Sequence, residues 1–131
     1  LVEDPRQLSD EQIKALIDRG SVIGSAFDAW MLSPNWIRGK STPLGHEVYI
    51  KNVVDHIDHI CQIAGNSNHC GIGSDLDGGF GTEQSPCDLD TIADIQSLNE
   101  ILGNRGYSNN DVDAIMNGNF ISFCAKYLPA G

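Results

Sequence analysis

The chain has 131 residues, 40% hydrophobic and 20% charged, a composition that suits one modest globular core and excludes a disordered segment. Eight Lys and Arg stand against eighteen Asp and Glu, and the net charge of -10 repels phosphate backbones and anionic lipid surfaces, so no nucleic-acid partner is expected. The longest apolar runs are only a few residues, which excludes a membrane-spanning segment from the expectation.

In chain order, Leu1-Val2-Glu3-Asp4-Pro5 lacks the pattern of a signal peptide; an exported precursor sheds that segment, so cytoplasm and periplasm both stay open. Ser9, with Gln12 three residues on, is a capping box that starts a helix with Ile13, Leu16 and Ile17 on its apolar face, and Gly20 ends it. Residues 21–27 read as a short buried strand. A long loop, residues 28–45, holds Trp30, Trp36, Arg38 and Lys40, and loops of this length within compact domains are usually functional. Residues 46–64 predict a helix carrying Val53, Val54, Ile57, Ile60 and Ile63, and residues 70–73 a second strand. After a glycine-rich loop from 78 to 88, Ile92, Ile95, Leu98, Ile101 and Leu102 form the stripe of a helix over 89–103. A short helix from Ser108 to Met116 and a terminal one carrying Phe120, Ile121, Phe123 and Tyr127 complete the chain. Strands alternating with helices imply parallel pairing, yet two strands neither close a barrel nor cover a parallel sheet, so the chain reads as part of a larger α/β unit.

The segment Gly71-Ile72-Gly73-Ser74-Asp75-Leu76-Asp77-Gly78-Gly79 carries the strongest chemical signal. Its glycines let the backbone turn sharply where the second strand ends, which displays Asp75 and Asp77 at the end of the sheet where α/β folds build their sites. His56 and His59 stand three apart without the H-E-x-x-H pattern of a hydrolytic zinc helix, and they read as a polar helix face. Cys61, Cys70, Cys87 and Cys124 contain no C-x-x-C and read as buried reduced thiols. Arg38-Gly39-Lys40-Ser41 ends like a P-loop, but Pro34 occupies the place of its first glycine; Gly79 and Pro86 likewise break an EF-hand reading of the acidic loop.

Taken together, Pro5-Arg6-Gln7-Leu8-Ser9-Asp10, Gly20-Ser21-Val22-Ile23-Gly24, Val54-Asp55-His56-Ile57-Asp58-His59-Ile60, the Gly71–Gly78 segment, Arg105-Gly106-Tyr107-Ser108 and Gly118-Asn119-Phe120 resemble the C-terminal part of the renal or membrane dipeptidases. These are zinc-dependent hydrolases of the metal-dependent hydrolase superfamily, and the loop from Asp28 to Pro43 is similar to a bacterial branch. The resemblance implies that residues 1–131 are the C-terminal segment of one (β/α)8 TIM-barrel domain, its strands being the seventh and eighth. It implies a dipeptide substrate and two zinc ions whose ligands lie upstream of this chain, so that no metal ligand is expected among its own residues. Asp75 matches the family's proton-transferring aspartate, and Arg6 matches the arginine that grips the substrate carboxylate. Gln7 replaces the family's asparagine. By itself the chain is then expected to be inactive and to associate with itself or with the missing part of the barrel.

Two alternatives stand beside this reading. Asp75 and Asp77 could serve as nucleophile and acid/base partner in a haloacid-dehalogenase-like phosphatase. Against this, such a motif normally opens its domain and is followed by a lysine and further acidic residues, whereas Lys126 is the only lysine after Asp77. The other alternative is a non-catalytic interaction module in which Trp30, Met31, Leu32 and Trp36 form an exposed docking patch.

Overall fold

A computed structural model describes residues 1–129. Helix α1 (Asp10–Asp18) begins at its capping box: Ser9 Oγ accepts from the Gln12 amide at 3.3 Å, and Gln12 Oε1 accepts from the Ser9 amide at 2.8 Å. Strand β1 (Ile23–Ser25) pairs in parallel with β2 (Cys70–Ile72), with Ile23 opposite Cys70, Gly24 opposite Gly71 and Ser25 opposite Ile72. A short helix, α2 (Ala29–Leu32), follows β1. The crossover between the strands is α3 (Ile50–Ala64), whose buried Ile50, Val53, Val54, Ile57, Ile60 and Cys61 repeat at helical spacing and face the sheet and neighbouring helices. Helix α1 packs on α3 through buried Ile13, and His59 Nε2 lies 2.8 Å from Asp10 Oδ1.

Side chains alternate across a strand, so Cys70 and Gly71 point to opposite faces. Cys70 meets α3, its Sγ 3.4 Å from Cys61 Sγ. On the other face the Phe120 ring lies against the backbone, and a Cβ on Gly71 would sit 2.6 Å from Phe120 Cε2. A Cβ on Gly24 would likewise sit 3.0 Å from Gly73 Cα. Glycine at these positions is what lets the strands and the C-terminal helix close together.

That C-terminal region begins with a 3-10 turn, Ile92–Gln96, which leads into α4 (Ser97–Asn104), where Leu98 and Leu102 are fully buried. Helix α5 (Asn109–Asp113) is capped by Ser108 and continues through a π turn, Ala114–Gly118, into α6 (Asn119–Tyr127). The wide turn sets Asn119 inward, where its Nδ2 donates to the carbonyls of Ser67 at 2.7 Å and Cys70 at 2.8 Å. The fold is therefore α/β, with both faces of a two-stranded parallel sheet covered by helices.

Several boundaries differ from the sequence expectation. The first strand spans three residues, Ile23–Ser25, rather than seven. The long helix starts at Ile50 rather than His46: Glu47 adopts φ +53°, and Asp88, distant in sequence, accepts from the Ile50 amide at 2.7 Å. The stripe over 89–103 splits, leaving Ile92 at 74% exposure. The two C-terminal helices are one continuous rod, and the long loop after β1 contains α2. Of the cysteines, Cys61 and Cys70 are buried as expected, but Cys87 is half-buried and Cys124 exposed.

Candidate functional site

Because β1 and β2 run parallel, the chain leaves both at the same end of the sheet. Pairing continues past the strands: Gly73 N donates to Ser25 O at 3.1 Å, and Phe27 N donates to Ser74 O at 3.0 Å. Two carboxylates thereby emerge together, Asp28 after β1 and Asp75 after β2. Asp75 sits at φ +58°, a left-handed conformation that a short polar side chain tolerates better than a bulky one. The turn is closed by Gly78 N donating to Asp75 O at 2.9 Å, and a Cβ on Gly78 would meet Asp75 Oδ1 at 2.6 Å. Glycine there makes room for the carboxylate over its own turn. Asp77 diverges: it is exposed and borders a separate cleft of about 510 Å³ with Leu76, Phe80, Leu89 and Ile92.

Asp28 is 4% exposed. Its Oδ1 accepts from the Trp30 amide at 3.4 Å and from Gln84 Nε2 at 3.5 Å, while Oδ2 accepts from the Trp30 indole N–H. Burial raises its carboxyl above the ordinary range; the Trp30 donors oppose that shift, the charge of Asp75 adds to it, and Arg38 counters it. The indole so fixed carries two guanidinium groups, Arg38 at 4.6 Å and Arg6 at 5.0 Å from the ring centroid. Gln7 Nε2 donates to Met31 O at 2.8 Å, which pins the segment bearing Arg6 to α2. Arg6 also borders a cavity of about 220 Å³ with Ser25, Met31, His56 and Ile60, and Ser25 Oγ is buried there without a hydrogen-bond partner among the described residues.

Arg6 and Asp75, some seventy positions apart in sequence, are thus brought to one end of the sheet and linked through Trp30 and Asp28, without a direct hydrogen bond or ion pair between them among the described residues. Sequence reasoning missed Asp28 and the stacking of Arg38 on Trp30. The available signal was an aspartate at a strand exit two residues before a tryptophan, the spacing of a helix N-cap.

The other motifs with charged residues form a structural lock. Arg105 binds Asp55 at 2.5 Å and also Asp58, and Tyr107 OH donates to Asp58 Oδ1 at 2.7 Å, tying α3 to the turn after α4. His59 pairs with Asp10, and burial lowers the pKa of His56 to about 4. Among the described residues no group of three or more His, Cys, Asp or Glu converges to hold a metal.

The sequence profile of the membrane dipeptidases, peptidase family M19, matches residues 1–126. The chain belongs to this family. The match spans the D-x-D-G segment and removes the phosphatase reading of Asp75 and Asp77. A relative from Klebsiella pneumoniae, described as an uncharacterized protein in the pqqA 5' region, is 31% identical over 121 residues, covering 92% of this chain and 41% of its own. A crystal structure of an amidohydrolase from Pseudomonas aeruginosa superposes with a TM-score of 0.70 at 22% identity, over 92% of this chain and 40% of that one. The chain spans about two fifths of the length of the proteins it matches. Its fold is α/β, with β1, α3 and β2 as one βαβ unit, consistent with the C-terminal part of a (β/α)8 barrel. No helix among the described residues is long and apolar enough to cross a membrane.

Proposed function

We propose that residues 1–131 are the C-terminal segment of a single barrel domain in a zinc-dependent dipeptidase, with Asp75 as the proton-transfer group and Arg6 as the anchor for the substrate carboxylate. Membership of the dipeptidase family supports the metal-dependent hydrolase class. The observation that carries the residue assignment is the shared placement of Arg6 and Asp75 at the exit of the parallel strands, around the Asp28–Trp30 pair. Asp75 is half-buried, and its carboxylate has no hydrogen-bond donor among the described residues, so it is free to take a proton from an attacking water and return it to the leaving amine. The Arg6 guanidinium has no carboxylate partner among the described residues either, and its planar fork matches a substrate carboxylate in two hydrogen bonds. Zinc enters this reading through the family alone, and both ions would be held by residues outside this chain.

On this reading the isolated chain is inactive. It also self-associates, because Ile37, Leu44, Ile92 and Ile121 are each more than half exposed. Against the docking-module alternative, Trp30 is 9% and Leu32 8% exposed, so two of the four residues of that patch are buried, with Met31 and Trp36 half-buried. The test is Asp75→Asn in the full-length enzyme. Turnover of dipeptides is expected to fall by roughly 10²- to 10⁴-fold with zinc content and KM little changed. Unchanged turnover would remove Asp75 from the reaction.

A further inference from the structure

Away from the strand exits, the inner ends of α3 and β2 bring two thiols together. Cys61 Sγ and Cys70 Sγ lie 3.4 Å apart, both buried, in a chain whose other two cysteines have no thiol contact among the described residues. Cys61 borders an open cavity of about 540 Å³ that it shares with Asp58, Ser67, Arg105, Tyr107 and Asp111. Cys70 lies deeper, its thiol also reaching the Ser67 carbonyl at 3.6 Å. The pair is therefore ordered, with one sulfur at the cavity wall and the other behind it.

We propose that Cys61 and Cys70 are a thiol–disulfide exchange site, with Cys61 the attacking sulfur and Cys70 the resolving one, and a low-molecular-weight disulfide as the oxidant. The Cys70 S–H lies against the Cys61 sulfur and stabilises negative charge on it, which lowers the Cys61 pKa, while the same contact and burial push Cys70 up. The Cys61 thiolate attacks one sulfur of the small disulfide, that S–S bond breaks, and one small thiolate leaves through the cavity. Cys70 then gives up its proton and attacks the Cys61 sulfur of the mixed disulfide, releasing the second small thiolate. Two protein thiols are oxidised, the small disulfide is reduced to two thiols, and the two protons end on those leaving groups. The resulting bridge would bind the end of the crossover helix to the strand that leads to Asp75.

The experiment equilibrates the full-length protein with glutathione and its disulfide, blocks free thiols, reduces, and applies a second label read by peptide fragmentation. The second label is expected at Cys61 and Cys70 and at neither Cys87 nor Cys124. Label confined to exposed Cys124, spread over all four positions, or absent altogether would overturn the proposal. Cys70→Ser removes the resolving sulfur, so Cys61 should then keep a mixed disulfide with glutathione, whereas Cys61→Ser should leave Cys70 unmodified. A mixed disulfide on Cys70 in Cys61→Ser would overturn Cys61 as the attacking group.

Discussion

Gly71→Ala probes the contact that closes the C-terminal helix over the sheet. Ordinary carbon–carbon contacts lie near 3.5–4.0 Å, whereas the new Cβ would stand 2.6 Å from Phe120 Cε2 and 2.7 Å from Cδ2, so the ring must retreat by about 1 Å. It cannot simply carry α6 with it, because the neighbouring Asn119 is held by two hydrogen bonds to the carbonyls of Ser67 and Cys70. Either the ring leaves its place or those bonds stretch. Overpacking of this kind costs about 1–3 kcal/mol, offset in part by the roughly 0.4–1 kcal/mol that an alanine contributes by restricting the unfolded chain. The expected net loss is about 1–2 kcal/mol, read as a lower urea midpoint with an unchanged m-value. In a Phe120→Ala background the clash is gone, and Gly71→Ala should become neutral or slightly stabilising; the difference between the two backgrounds measures the contact. Equal effects of Gly71→Ala in both backgrounds would refute the packing argument.

Other expectations follow from the same geometry. Arg6→Lys keeps the charge but loses the fork, so KM for dipeptides should rise about tenfold while substrates with a blocked carboxylate are unaffected; equal changes for both classes would remove Arg6 from carboxylate recognition. Burial lowers the His56 pKa from 6.5 to about 4, so the unfolded chain takes up that proton first. Stability from this group is full above about pH 6.5 and falls by about 3 kcal/mol as pH drops toward 4, a slope that urea titrations of His56→Gln should lack. Light scattering of the 131-residue chain should show association through its exposed apolar residues, and a monodisperse monomer would show instead that the core closes unaided.

The sequence alone determined which segments fold locally and which chemistry they carry. The Ser9–Gln12 capping box, the apolar stripe of α3 and the glycine-flanked Asp75 turn depend on neighbours within a few positions, so their signals are complete in the local sequence. The alternation of strand and helix was enough to indicate parallel pairing, and the ordered motifs were enough to indicate the family that the profile match shows. Contacts between distant segments were decided only in three dimensions. The start of α3 depends on Asp88, the inward turn of Asn119 on carbonyls some fifty residues away, and the stacking of Arg6 on Trp30 on how the segment before α1 folds back over α2. Asp28 shows the limit most clearly. An aspartate before Ala-Trp reads as a turn residue, and only the parallel register, which brings the exits of β1 and β2 side by side, turns it into a buried carboxylate within the field of Asp75. Burial and electrostatic coupling depend on which atoms displace water around a side chain, and no local pattern of residue types encodes that.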